Sequence, residues 1–129
     1  MDEFSQGVYL LHAQILKVLA NPKRLMILDC LHSGEMSVGE LAERLGLPQA
    51  NVSQHLAALR AQLVVGTRRE GNTVRYSLSD PRIVQACDIF HQFLADRMRS
   101  SQALANRFPE FRPLREEGLM GRRNAGGAR

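Results

Sequence analysis

Apolar positions along the first half of the chain recur at helical spacing, then switch for one short stretch to strict alternation. Residues 4–20 carry Phe4, Val8, Leu11, Ile15, Leu16 and Leu19 at intervals of one to four residues, the stripe of an amphipathic helix. Leu10 and Val18 fall off that stripe, so this helix has apolar surface for more than its own core. Asn21-Pro22 breaks it and starts another, with Asn21 as N-cap and Pro22 at the first helical position. The second helix runs to about His32, with Leu25, Leu28 and Leu31 inward and Ile27 flanking. Ser33-Gly34 stops it.

The stretch from Met36 to Arg60 reads as two short helices joined by a glycine turn. Ser37 and Glu40 have the spacing of a capping box, Leu41, Ala42 and Leu45 form one apolar face, and Gly46 ends the helix. The next helix, 48–61, turns Val52, Leu56 and Leu59 inward. Its first turns carry Gln49, Asn51, Ser53 and Gln54, uncharged and rich in donors and acceptors. A solvated helix face normally carries Lys and Glu. Amides and hydroxyls at the start of the second helix of a helix-turn-helix suit base edges in a major groove.

Alternation begins after that helix. In the segment 64–78, Val74, Tyr76 and Leu78 alternate with Arg75 and Ser77, and Glu70-Gly71-Asn72 is turn chemistry between two strand-like runs. This predicts a β-hairpin beside the reading helix, a wing. Its Arg68, Arg69 and Arg75 are candidates to clamp phosphates or enter a minor groove. Asp80 and Pro81 then read as N-cap and first residue of a last long helix. Its apolar stripe, from Ile83 and Val84 through Phe90 and Phe93 to Met98, is too wide for one contact. The same helix of a twin subunit is the most economical second partner.

Composition narrows the class without changing the picture. A chain of 129 residues bounds one domain, taken as 1–100, with an extension over 101–129 that is expected to be disordered from about 118. Net charge is +4, and from Pro48 to Ser79 four Arg stand against one Glu, so the positive charge falls beside the reading helix. No apolar run reaches membrane-span length and the acidic start is unlike a signal peptide, which predicts a cytoplasmic, nucleoid-associated protein with no membrane partner. Cys30 and Cys87 are too few for a disulfide scaffold and lack metal-finger spacing. No catalytic constellation assembles, so no enzyme and no cofactor are expected.

The order helix, helix, helix-turn-helix, wing, helix resembles the ArsR/SmtB family of bacterial winged-helix repressors. The runs that carry the likeness are Leu16–Leu28, Ser37–Leu41, Val52–Leu56 and Arg68–Ser77, and it covers about residues 8–98. The resemblance implies a mainly α fold with a small β-hairpin, ordered α-α-α-α-β-β-α, that dimerises through its first and last helices. It also implies a homodimer that binds double-stranded operator DNA and leaves it when an inducer, unknown here, binds. Gln49, Asn51, Ser53, Gln54 and His55 fall near DNA on this reading.

The family's sensors carry over poorly. Metal-sensing members place two cysteines in the third-helix motif, where this chain has Glu35-Met36-Ser37-Val38-Gly39-Glu40-Leu41. The zinc pattern of the last helix falls on Asp80, Arg82, Phe93 and Asp96, and an arginine and a phenylalanine cannot bind zinc. No metal site is therefore expected. A third branch senses oxidants or persulfides through one cysteine in the second helix and one in the last. Cys30 and Cys87 occupy those helices but in shifted registers, which leaves a redox sensor as an alternative and small core hydrophobes as the default. A winged helix used only for protein–protein contact is the other alternative. The basic wing argues against it.

Overall fold

The computed structural model describes residues 1–110. The elements are α1 (Glu3–Leu19), α2 (Pro22–His32), α3 (Val38–Leu45), α4 (Gln49–Ala61), β1 (Val65–Glu70), β2 (Thr73–Leu78), α5 (Arg82–Ser100) and α6 (Gln102–Arg107). They fall into two compact units, Met1–Asp80 and a second that begins at Pro81. No helix among the described residues is long and apolar enough to cross a membrane. The stretch beyond 118, expected to be disordered, lies outside the described residues.

Local chemistry sets most boundaries. Asn21 Oδ1 accepts from the backbone N–H groups of both Lys23 and Arg24, and Pro22 spares the helix a donor it could not satisfy. Ser37 Oγ accepts from Glu40 N–H at 3.2 Å, which starts α3. The reciprocal half of the capping box takes another form, because the Ser37 hydroxyl donates to Glu40 Oε1. Asp2, unanticipated as a cap, accepts from Ser5 N–H at 2.7 Å and opens α1; that N–H holds its carboxyl below the usual carboxylate range. At α5 the expectation fails by one residue. Pro81 itself is the cap, Arg82 is the first helical residue, and no side chain caps the start.

The core of the first unit is built from α2, α3, α4 and the base of the hairpin. Ile27, Leu28, Leu41, Val52, Leu56, Leu59 and Val65 are all essentially inaccessible. Ile27, expected to flank, is fully buried, whereas Leu25 is only half-buried. The α1 stripe behaves differently: only Leu19 is buried, and Phe4, Val8, Leu11 and Leu16 are exposed. In the second unit Ile89, Phe90 and Phe93 are likewise exposed on α5.

The two strands pair antiparallel from Val65 opposite Leu78 to Glu70 opposite Thr73. Gly71 at φ 61° supplies the positive φ at the first turn position, the type II′ pattern that fits strand twist. A further bridge was not legible in the sequence. Met36 and Tyr76 exchange backbone hydrogen bonds of 3.1 and 2.8 Å, tying the hairpin to the residue before α3.

Helices α3 and α4 end in the same way with different residues. After α3, Leu47 N–H reaches the Ala42 carbonyl across Gly46, which sits at φ 66°. After α4, Val64 N–H reaches the Leu59 carbonyl across Leu63, at φ 59°. Both are Schellman motifs, but a branched side chain in the left-handed region costs about 1–2 kcal/mol. Leu63 is 79% exposed, so its side chain recovers little of that cost. Leu63→Gly should therefore raise stability by about 0.5–1 kcal/mol in urea unfolding. A loss of stability would mean that the leucine makes a compensating contact.

Candidate nucleic-acid interface

Helix α4 has an inner and an outer face. Val52, Leu56 and Leu59 point inward, and at about 100° per residue the diametrically opposite line runs through Ala50, Gln54, Ala57 and Ala61. All four are exposed, as are Ser53 and Asn51 on the two flanks. Sequence reasoning singled out the amides and hydroxyl but passed over the alanines. Their methyls leave the helix bare enough for close approach to a groove floor, and alanine makes apolar contact with a thymine methyl. Gln49 stands at the helix start, where its Nε2 lies 3.5 Å from a Cβ built on Gly39, so the N-termini of α3 and α4 converge.

His55 is placed apart from this face. It is half-buried, on the shoulder toward α2, and its Nδ1 accepts from Arg24 Nε at 3.2 Å. Burial first, then the charges of Arg24 and Lys23, holds the imidazole below the ordinary histidine pKa. Unfolded chains therefore bind the proton more readily. His55's contribution to stability is fully present above the ordinary value and is lost as pH falls through that value toward the depressed one.

The wing arginines divide into two kinds. Arg68 faces Arg75 directly across the strands, a like-charge pairing that is unfavourable alone. Three carboxylates offset it. Arg68 donates to Glu35 at 3.1 Å and to Glu70 at 3.0 Å, which raises its pKa, the Glu35 bond contributing most. Arg75 donates to Glu40 at 3.1 Å and to the Glu35 backbone carbonyl at 3.1 Å, with Glu70 at 3.8 Å. At Glu40, partial burial works to raise the carboxyl, but the Ser37 hydroxyl and the Arg75 guanidinium outweigh it and the pKa is lowered. Arg75 is therefore a strut between wing and α3. Arg69, exposed on the opposite hairpin face, makes no ion pair among the described residues.

Cys30 is buried in the core and Cys87 is half-buried in the second unit, both as thiols. Among the described residues no group of three or more His, Cys, Asp or Glu is arranged to hold a metal ion.

A helix-turn-helix whose second helix presents small and amide side chains, with a hairpin strutted beside it, defines a winged helix-turn-helix. A helix-turn-helix domain family matches residues 19–67. Nodulation protein NolR of Rhizobium meliloti is 51% identical over 73 residues, 57% of this chain, which spans 60% of NolR's length. Transcriptional activator HlyU of Vibrio cholerae is 46% identical over 78 residues, covering 60% of this chain and 72% of HlyU. Among solved structures, Mb0332 of Mycobacterium bovis, a homodimeric winged helix-turn-helix DNA-binding domain, aligns with a TM-score of 0.69 at 25% identity over 79% of this chain and 94% of its own. The chain belongs to the ArsR/SmtB family of winged-helix transcriptional regulators.

Proposed function

We propose that the protein is a homodimeric DNA-binding repressor that reads a palindromic operator with α4 and steadies itself on phosphate with the wing. The observation that carries this is the outer face of α4: Ala50, Gln54 and Ala57 in line, Ser53 and Asn51 beside them, all exposed and none charged. Ala57→Glu tests it. Glutamate is a good helix former at an exposed site, so folding should be unchanged, while a carboxylate aimed at the groove should cost at least about tenfold in duplex affinity. Unchanged binding would remove α4 from the interface.

Dimerisation rests on the apolar residues of α1 and α5 that the single chain leaves exposed. A second copy covers them, as the family resemblance implies, and Mb0332 is itself homodimeric. Repression follows if the operator overlaps a promoter; HlyU, an activator, marks the opposite sign, which a promoter–reporter fusion distinguishes. The location proposed is the cytoplasm, on the nucleoid. The thiol-sensing alternative is not favoured: Cys30 is 7% exposed among core side chains.

The wing makes a sharper prediction. Arg69→Ala should reduce the slope of log affinity against log salt by about one. Arg75→Ala should leave that slope nearly intact and weaken binding through loss of the strut to Glu40. Equal slope changes would show that both arginines meet phosphate.

A further inference from the structure

Arg24 stands outside the α4 face and outside the wing, yet it holds three helices at one point. It is the third residue of α2, and its own backbone N–H is tied to Asn21 Oδ1 at 3.2 Å. Its Nη1 donates to the Val18 carbonyl at 3.1 Å, one of the last carbonyls of α1, which have no partner within their own helix. Its Nε donates to His55 Nδ1 on α4 at 3.2 Å. A cation at a helix C-terminus is favourable, and an arginine fork can serve two acceptors in fixed directions.

We propose that Arg24 is a positioning residue for DNA binding, fixing the reading helix against the end of α1 by holding the His55 ring in one tautomer and one orientation. This rests on the DNA-reading role of α4 proposed above. An arginine nitrogen only donates, so His55 Nδ1 must accept and the ring proton resides on Nε2. Burial, then the charges of Arg24 and Lys23 facing it from α2, disfavours the charged ring. Protonating His55 would set donor against donor and charge against charge, so the junction is made only by the neutral ring. Through Val18, the same guanidinium links α4 to the helix whose apolar stripe is proposed to meet the twin subunit.

The test compares wild type with Arg24→Gln, Arg24→Lys and His55→Asn. Three measurements are made on each: nitrogen chemical shifts of His55, circular dichroism, and affinity for a duplex selected from a random pool and for its scrambled counterpart. Wild type should show the Nε2–H tautomer and a His55 midpoint below the ordinary value. Arg24→Gln should shift the midpoint upward and weaken binding to the selected duplex by about tenfold, with helix content and scrambled-duplex affinity unchanged. Arg24→Lys, lacking the fork, should recover only part of the loss. His55→Asn, whose amide oxygen can accept where Nδ1 did, should stay closer to wild type than Arg24→Gln.

Equal loss on both duplexes with a reduced salt slope would overturn the proposal and make Arg24 a phosphate contact. An unchanged His55 midpoint in Arg24→Gln, or unchanged affinity, would overturn it too. Should wild type fail to distinguish the two duplexes, the DNA-reading role itself falls; the His55 shifts still report whether the Arg24 junction forms.

Discussion

Leu11→Glu should convert the protein to a monomer and lower operator affinity by about two to four orders of magnitude, while leaving its helical content intact. Phe4, Val8 and Leu11 follow at four- and three-residue steps on α1, and all three are at least half exposed. An apolar row of that kind is rare on a chain that works alone. A glutamate at Leu11 costs the single chain little, because only Leu19 of α1 is buried. In a dimer the carboxylate would be desolvated against its own twin. The two reading heads would then bind one at a time, and the gain from joining two sites, about 10²–10⁴, would vanish. Sedimentation velocity together with duplex titration checks this. A dimer that persists with full affinity would move the interface away from α1.

Gln54→Ala and Ser53→Ala should change which sequences bind rather than how strongly DNA in general binds. Gln54 lies near the line directly opposite the core residues of α4, so it reaches deepest when that helix lies in a groove. An amide there can pair with both adenine positions, N6 and N7. Losing a good contact should cost about 1–3 kcal/mol at its cognate base pair and nothing at others. Ser53 sits to the side and adapts to several bases, so its effect should be the smaller of the two. Binding to a library of single-base variants of the selected duplex measures both. A uniform drop across the library would assign Gln54 to phosphate.

Much of this was legible because the signals are local. Asn21-Pro22 placed the start of α2 correctly, since cap and proline act within one turn. Ser37 and Gly46 bounded α3 for the same reason. At Asp80-Pro81 the identical logic erred by one residue, because Pro81 adopted helical dihedrals outside the helix proper, as its cap. The wing's charges were read less well. Arg68 and Arg75 look available in sequence, but their partners Glu35 and Glu40 lie 33 and 35 positions away. Only the fold, through the Met36–Tyr76 bridge, brings them together. His55 likewise looked like one more polar residue of the reading helix. Its turn toward Arg24, 31 positions earlier, depends on how α2 packs against α4. The alanines of the outer face carried no signal as single residues; their role emerges from the direction in which Val52, Leu56 and Leu59 point.

Hydroxyl-radical footprinting on a selected duplex, with the protein-to-duplex ratio fixed by sedimentation, tests the central reading most directly. Two chains on one duplex should protect two half-sites of related inverted sequence, about one helical turn or a whole multiple apart. One chain per duplex, or protection that does not repeat with inverted symmetry, would contradict a dimer reading a palindrome through α4.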